Sequence, residues 1–126
     1  VPLPPYKKFG LNEFEELNQL NAVGITYNDT IFVTKEHFNE ITCFHEMIHI
    51  VQWKLLGIEK FLLTYGMGVV LKGYRESPLE MIAYTYQKNL EDNALPMNFL
   101  EKTRKLTSEA WLEVNPLNFL RGQLQD

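Results

Sequence analysis

Cysteine is almost absent: one residue, Cys43, in 126. That excludes an internal disulfide framework and gives no sign of an oxidising compartment. Basic clusters are missing beyond the pair Lys7-Lys8, and the net charge is −4. No broad electropositive surface for nucleic acid or an anionic membrane is expected. Long hydrophobic runs are missing too. The most apolar stretch, 61–71, covers about eleven residues and is broken by Gly66 and Gly68, where a membrane span needs about twenty. It reads as a buried helix, and membrane insertion is not expected. There are no internal repeats and no low-complexity segments. Val1-Pro2-Leu3-Pro4-Pro5-Tyr6 shows neither a start methionine nor an apolar signal core, so the chain reads as processed or trimmed. The sequence names no compartment, and the lack of a signal segment and of disulfides slightly favours the cytoplasm.

What is present is enough apolar residue, 45%, to bury a core in a chain of ordinary domain size. A single domain over 1–126 is expected, with no composition shift to divide it. Its centre is Phe44-His45-Glu46-Met47-Ile48-His49-Ile50-Val51-Gln52-Trp53. Ile41, Phe44, Ile48, Val51 and Leu55 recur at the spacing of one helical stripe. His45 and His49, four apart, stand one above the other on a neighbouring stripe, so both imidazoles can reach one ion. Glu46 is turned from His45 by about 100°, the angular step of a helix. It lies beside the ion rather than on it, where a base would take a proton from a metal-bound water. A chance arrangement of this composition shows His-Glu-x-x-His in roughly one chain in a few hundred. Lone helical histidines are usually satisfied core or surface residues. Here, however, two of the three histidines are used on a largely apolar helix, where unpartnered imidazole nitrogens would be costly.

In chain order, the proline-rich start reads as an extended arm. Asn12 can cap a short helix over 13–21, with Phe14, Leu17 and Leu20 on one side. Ile25-Thr26-Tyr27 and Ile31-Phe32-Val33, separated by Asn28-Asp29, read as a hairpin or a bend into one strand. The metal-binding helix then runs from about 35 or 39 to 56, ended by Gly57. A third helix is expected over about 58–74. Ser77-Pro78-Leu79-Glu80 opens a fourth, to about 93, with Ser77 at the cap, Pro78 at the first position and Glu80 completing a capping box. Beyond Pro96, helical segments are expected over 98–105, 108–114 and 117–123. The class is α+β, mostly helical: a small domain with a short β-sheet or hairpin ahead of the metal-binding helix.

A catalytic zinc site takes three protein ligands and leaves one tetrahedral position for water. His37 lies about 12 Å back along a continuous helix and is too far. Cys43 sits on a different face from His45 and reads as a small apolar residue. The remaining groups are carboxylates, and Glu76 and Glu80 flank the start of the fourth helix. Ser77-Pro78 leaves Glu76 in the connection without a fixed direction. Glu80 lies in the first turn and shares a face with Ala83, Tyr84 and Gln87, where small Ala83 permits a close approach to the metal-binding helix. The capping box competes for the Glu80 carboxylate.

His45-Glu46-x-x-His49-x-Val51-Gln52-Trp53, followed by Tyr74 and then Pro78-Leu79-Glu80-x-x-Ala83-Tyr84, resembles the minigluzincins. These are small single-domain zinc metallopeptidases of the gluzincin group. The resemblance covers roughly residues 24–88. It implies a zincin-like fold, Zn2+ as the cofactor, His45, His49 and Glu80 as its ligands, and Glu46 as the general base. It also implies a peptide or protein substrate held by the strand 31–34. Met81-Ile82 departs from the pattern, which often has an acidic residue just after the ligand glutamate.

The expected chemistry is peptide hydrolysis. Zinc lowers the pKa of its water towards about 7 while Glu46 takes the proton. Tyr84 is the candidate donor to the developing oxyanion, with Tyr74 and Arg75 as further possibilities. Gln52 is a candidate partner of His49, or else a cap of a neighbouring loop, and Trp53 reads as core. Other functions stay open. The chain could be a catalytically silent interaction module of the same fold, or a latent peptidase whose N-terminal arm or segment after Pro96 fills the cleft. Glu46 favours chemistry, since a structural zinc has no use for a base there.

Overall fold

A computed structural model describes residues 24–115. The expected helices over 13–21 and 117–123 lie outside the described residues. Within them the chain is α+β and mostly helical, with a two-stranded hairpin ahead of a long helix. Strands β1 (Gly24–Tyr27) and β2 (Thr30–Val33) pair antiparallel, with Gly24 opposite Val33 and Tyr27 opposite Thr30. Asn28 makes the reversal at φ 54°, a left-handed conformation that asparagine tolerates better than most residues.

Helix α1 (Glu40–Lys72) begins later than residue 35, because 35–37 form a separate 3-10 turn. Asn39 is its cap: the Oδ1 atom accepts the Thr42 amide at 2.9 Å. Gly57, at φ 79° and ψ 169°, breaks α1 into two arms. That conformation is essentially confined to glycine. The second arm bends back toward the first. On a straight helix His49 and Tyr65 would stand about 24 Å apart along the axis, yet their ring centroids are 6.2 Å apart. Trp53 and Phe61, placed evenly either side of Gly57, stack at 3.9 Å.

Gly73 (φ 83°) ends the second arm, and the chain enters α2 (Pro78–Glu91). A Cβ on Gly68 would lie 2.8 Å from Pro78 Cδ, so the second arm presses against the start of α2 at a position only glycine fits. Ser77 and Pro78 take the expected cap and first positions, but the capping box does not form. The Ser77 hydroxyl donates to the Tyr74 carbonyl at 2.8 Å, and the Glu80 carboxylate turns inward to the histidines. At its far end α2 closes with Asn93 at φ 55° and the Ala94 amide on the Asn89 carbonyl at 2.7 Å.

The last described element, α3 (Phe99–Val114), is continuous where two pieces, 98–105 and 108–114, were expected. Thr103, Thr107, Ala110 and Val114 form its buried stripe. Thr103 satisfies its hydroxyl on the Phe99 carbonyl at 2.7 Å, so threonine sits inside this helix without breaking it.

The core gathers Phe44, Ile48, Trp53, Phe61, Leu79, Ile82, Ala83, Tyr86 and Ala110. Ile48 and Leu79 are fully buried, each stabilising by about 1.5–3 kcal/mol relative to exposure. The 61–71 run is buried on one face only. Phe61, Thr64, Tyr65 and Gly68 point inward, while Leu63, Val70 and Leu71 are exposed.

Candidate metal centre

Three elements meet at the first arm of α1. β1 lies on it through Gly24, where a Cβ would stand 3.3 Å from Glu46 Cγ, and through Thr26, whose hydroxyl donates to the Glu46 carbonyl at 2.9 Å. α2 crosses with fully buried Ala83 in the packed face, as small side chains at a helix crossing allow. The second arm of α1 closes the remaining side with Tyr65.

In the space between them, His45 Nε2 stands 2.9 Å and His49 Nε2 3.2 Å from Glu80 Oε1. All three residues are buried. The ligand atoms they offer lie within 4.8 Å of one another, the one such group of His, Cys, Asp or Glu among the described residues.

The other ring nitrogens decide what these atoms can be. His45 Nδ1 is 2.8 Å from Gln87 Oε1, and His49 Nδ1 is 2.7 Å from Gln52 Oε1. Each amide orientation is fixed from its far side. Gln87 Nε2 donates to Glu91 Oε1 at 3.1 Å, and Gln52 Nε2 to the Leu79 carbonyl at 3.2 Å. Both Nδ1 atoms therefore carry protons and donate. In a neutral imidazole that leaves a lone pair on Nε2, so two lone pairs converge on a carboxylate oxygen. Such an arrangement is repulsive unless a proton or a cation sits within it. Two imidazole nitrogens and one carboxylate oxygen are a donor set that suits zinc, and each histidine is oriented by a partner on its other nitrogen. The residues fit the ion.

In the metal-free protein a proton takes that place. Burial pushes His49 down, but the adjacent Glu80 carboxylate outweighs it and raises the imidazole to about 9. Burial favours the neutral form of Glu80, yet charged His49 and the hydrogen bonding at Oε1 hold it well below the usual carboxylate range.

Glu46 stands apart from the ligand group. It is 4% exposed, and its Oε2 has no hydrogen-bond partner. Burial pushes its carboxyl up, His49 and His45 oppose that, and Glu80 adds to it. A buried carboxylate with a bare oxygen, beside the ligand group and outside it, is placed to receive a proton.

The remaining expectations fall as follows. Tyr84 packs its ring on that of His45 at 4.5 Å and lies under the Arg75 guanidinium at 4.5 Å. Burial raises the Tyr84 phenol above its ordinary value, and that of Tyr74 further. Gln52 bonds His49, the first of its two expected roles, and its amide nitrogen goes to a backbone carbonyl within α2 rather than to a loop. Trp53 is core. Glu76 is exposed and outside the cluster. His37 is exposed in the 3-10 turn, its Nδ1 2.9 Å from the Thr34 hydroxyl. Cys43 is half-buried along a groove with Ile31, Val33, Lys35 and Phe38. The strand touching Glu46 is β1; β2 pairs with it and also meets α1. Sequence reasoning missed Tyr65, whose hydroxyl donates to Glu80 Oε2. It also missed the bond from His45 to Gln87, although Gln87 had been placed on the right face of its helix. No family model matches the chain, and no curated protein or solved structure matches it.

Proposed function

We propose that this chain is a zinc-dependent metallopeptidase of the minigluzincin type, with His45, His49 and Glu80 as zinc ligands and Glu46 as general base. One observation carries the reading. Two histidine Nε2 atoms and one oxygen of Glu80 converge in a buried site, with the unpartnered Glu46 carboxylate oxygen beside them and outside the ligand group. A purely structural site has no need of that fourth group.

Zinc bound there would polarise a substrate carbonyl and acidify a water molecule. The chain's own residues do the rest. Gln87 and Gln52 hold the two imidazoles with their Nε2 atoms turned to the ion. Glu46 accepts the proton of the attacking water on its bare oxygen and returns it to the leaving amine. Its raised affinity for a proton, due to burial, suits that exchange. Tyr84, beside His45, is the candidate donor to the developing oxyanion. The substrate class is a peptide or protein.

The test is Glu46→Gln in the full chain. Zinc content should stay at the wild-type level, while hydrolysis of an unselective peptide library should fall by about 10² or more. Loss of zinc, or hydrolysis equal to wild type, overturns the assignment.

A further inference from the structure

Tyr65 belongs to none of the roles above, yet it touches two of the three candidate ligands. Its hydroxyl donates to Glu80 Oε2, and its ring meets the His49 ring at 75° with centroids 6.2 Å apart. The ring is fixed from behind by Phe61, stacked at 5.7 Å, which is itself stacked on Trp53 at 3.9 Å. Gly57 brings this side chain back across the site, and Gly68 presses its arm on Pro78, two residues from Glu80. A buried phenol needs an acceptor, and a backbone carbonyl would serve. Instead the phenol reaches the one carboxylate oxygen that does not face the histidines.

That choice has a consequence for coordination. With Oε2 engaged by a hydroxyl proton, Glu80 offers the ion Oε1 alone. Two nitrogens and one oxygen then leave the fourth tetrahedral position to water or substrate. A two-oxygen carboxylate would crowd that position and, with water still bound, would make five ligands.

We propose that Tyr65 is a positioning residue of the metal centre: its hydrogen bond to Oε2 keeps Glu80 a one-oxygen ligand and so keeps the fourth position open. This rests on the reading of His45, His49 and Glu80 as metal ligands. The second arm of α1 is then a brace for Glu80.

The test titrates the full chain, wild type and Tyr65→Phe, with Co2+ and Zn2+ separately. Wild type should take up one ion and give the intense visible bands of four-coordinate cobalt. Tyr65→Phe keeps the ring in its stack and removes only the donor. It should give weaker bands, typical of higher coordination, with zinc affinity lowered by about 10–100-fold. Circular dichroism of the metal-free variant checks the fold. Should that variant not fold, 3-fluorotyrosine at position 65 preserves the shape with a more acidic hydroxyl, and it should shift the cobalt bands. Bands and affinity equal to wild type in a folded variant overturn the role of Tyr65 alone. A wild-type chain that takes up neither ion overturns the metal-centre reading and this inference with it.

Discussion

Gln52 and Gln87 each use the amide nitrogen on an acceptor, Leu79 O and Glu91 Oε1, and so present the amide oxygen to a histidine. The protonation pattern of both imidazoles follows from those two bonds, and so does the need for something positive between Nε2 and Glu80. The same logic separates the two carboxylates near the start of α2. Glu80→Gln should lower zinc affinity sharply, since it replaces the charged ligand oxygen. Exposed Glu76→Gln should leave the affinity at the wild-type value. Equilibrium dialysis against zinc reads both, and equal affinities for the two variants would sink the ligand assignment. Glu80→Gln should also destabilise the metal-free chain, by about 1–3 kcal/mol, because His49 loses its charged partner in a buried setting. Capping does not protect the variant, since Glu80 makes no capping box.

Gly57 shows how much an element depends on a single backbone position. Its φ of 79° and ψ of 169° set the bend of α1, and a Cβ there would meet nothing within 4 Å. Gly57→Ala is therefore a backbone experiment without a steric clash. It should destabilise by about 1–3 kcal/mol in chemical denaturation, and weaken zinc binding as Tyr65 moves off Glu80. A variant as stable as wild type would mean that the bend is not held by that conformation. Gly57 was legible in the sequence as a helix end, and so were the Asn28-Asp29 reversal and the Ser77-Pro78 helix start, because each acts through its own backbone. The fold-back was not legible. Glycine marks where a helix breaks, while the direction of the next arm is set by contacts such as Trp53 on Phe61 and Gly68 on Pro78. Tyr65 could therefore be read only as one more aromatic in an apolar run. The continuity of α3 was hidden for a related reason: the gap expected at 106–107 closes only once burial of the threonine stripe is known.

At the scale of the whole molecule, the candidate site is where the hairpin, α2 and the second arm of α1 close on the first arm of α1, so metal, protons and folding share one set of contacts. His45, His49, Glu46 and Glu80 were legible because helical spacing and a helix start fix their directions. Their partners Tyr65 and Gln87 come from elements whose docking spacing does not encode. The coupling gives a sign that can be worked out. In the metal-free chain His49 is raised from 6.5 to about 9. Its stabilising contribution is fully present below pH 6.5 and is lost as pH rises toward 9. Glu80 is lowered from 4.5, so its contribution is present above that value and is lost only as pH falls below it. Metal-free stability should therefore decline between pH 6.5 and 9. Zinc needs the neutral imidazole, so its binding must displace the His49 proton at pH 7, and affinity should rise over the same range. Free zinc at a hundred times its dissociation constant stabilises the fold by about 2.7 kcal/mol. The gap in melting temperature between zinc-loaded and chelator-treated samples at one fixed zinc concentration should thus widen from pH 6 to pH 8. A gap that stays constant or narrows would mean that zinc does not take the place of the proton between His49 and Glu80.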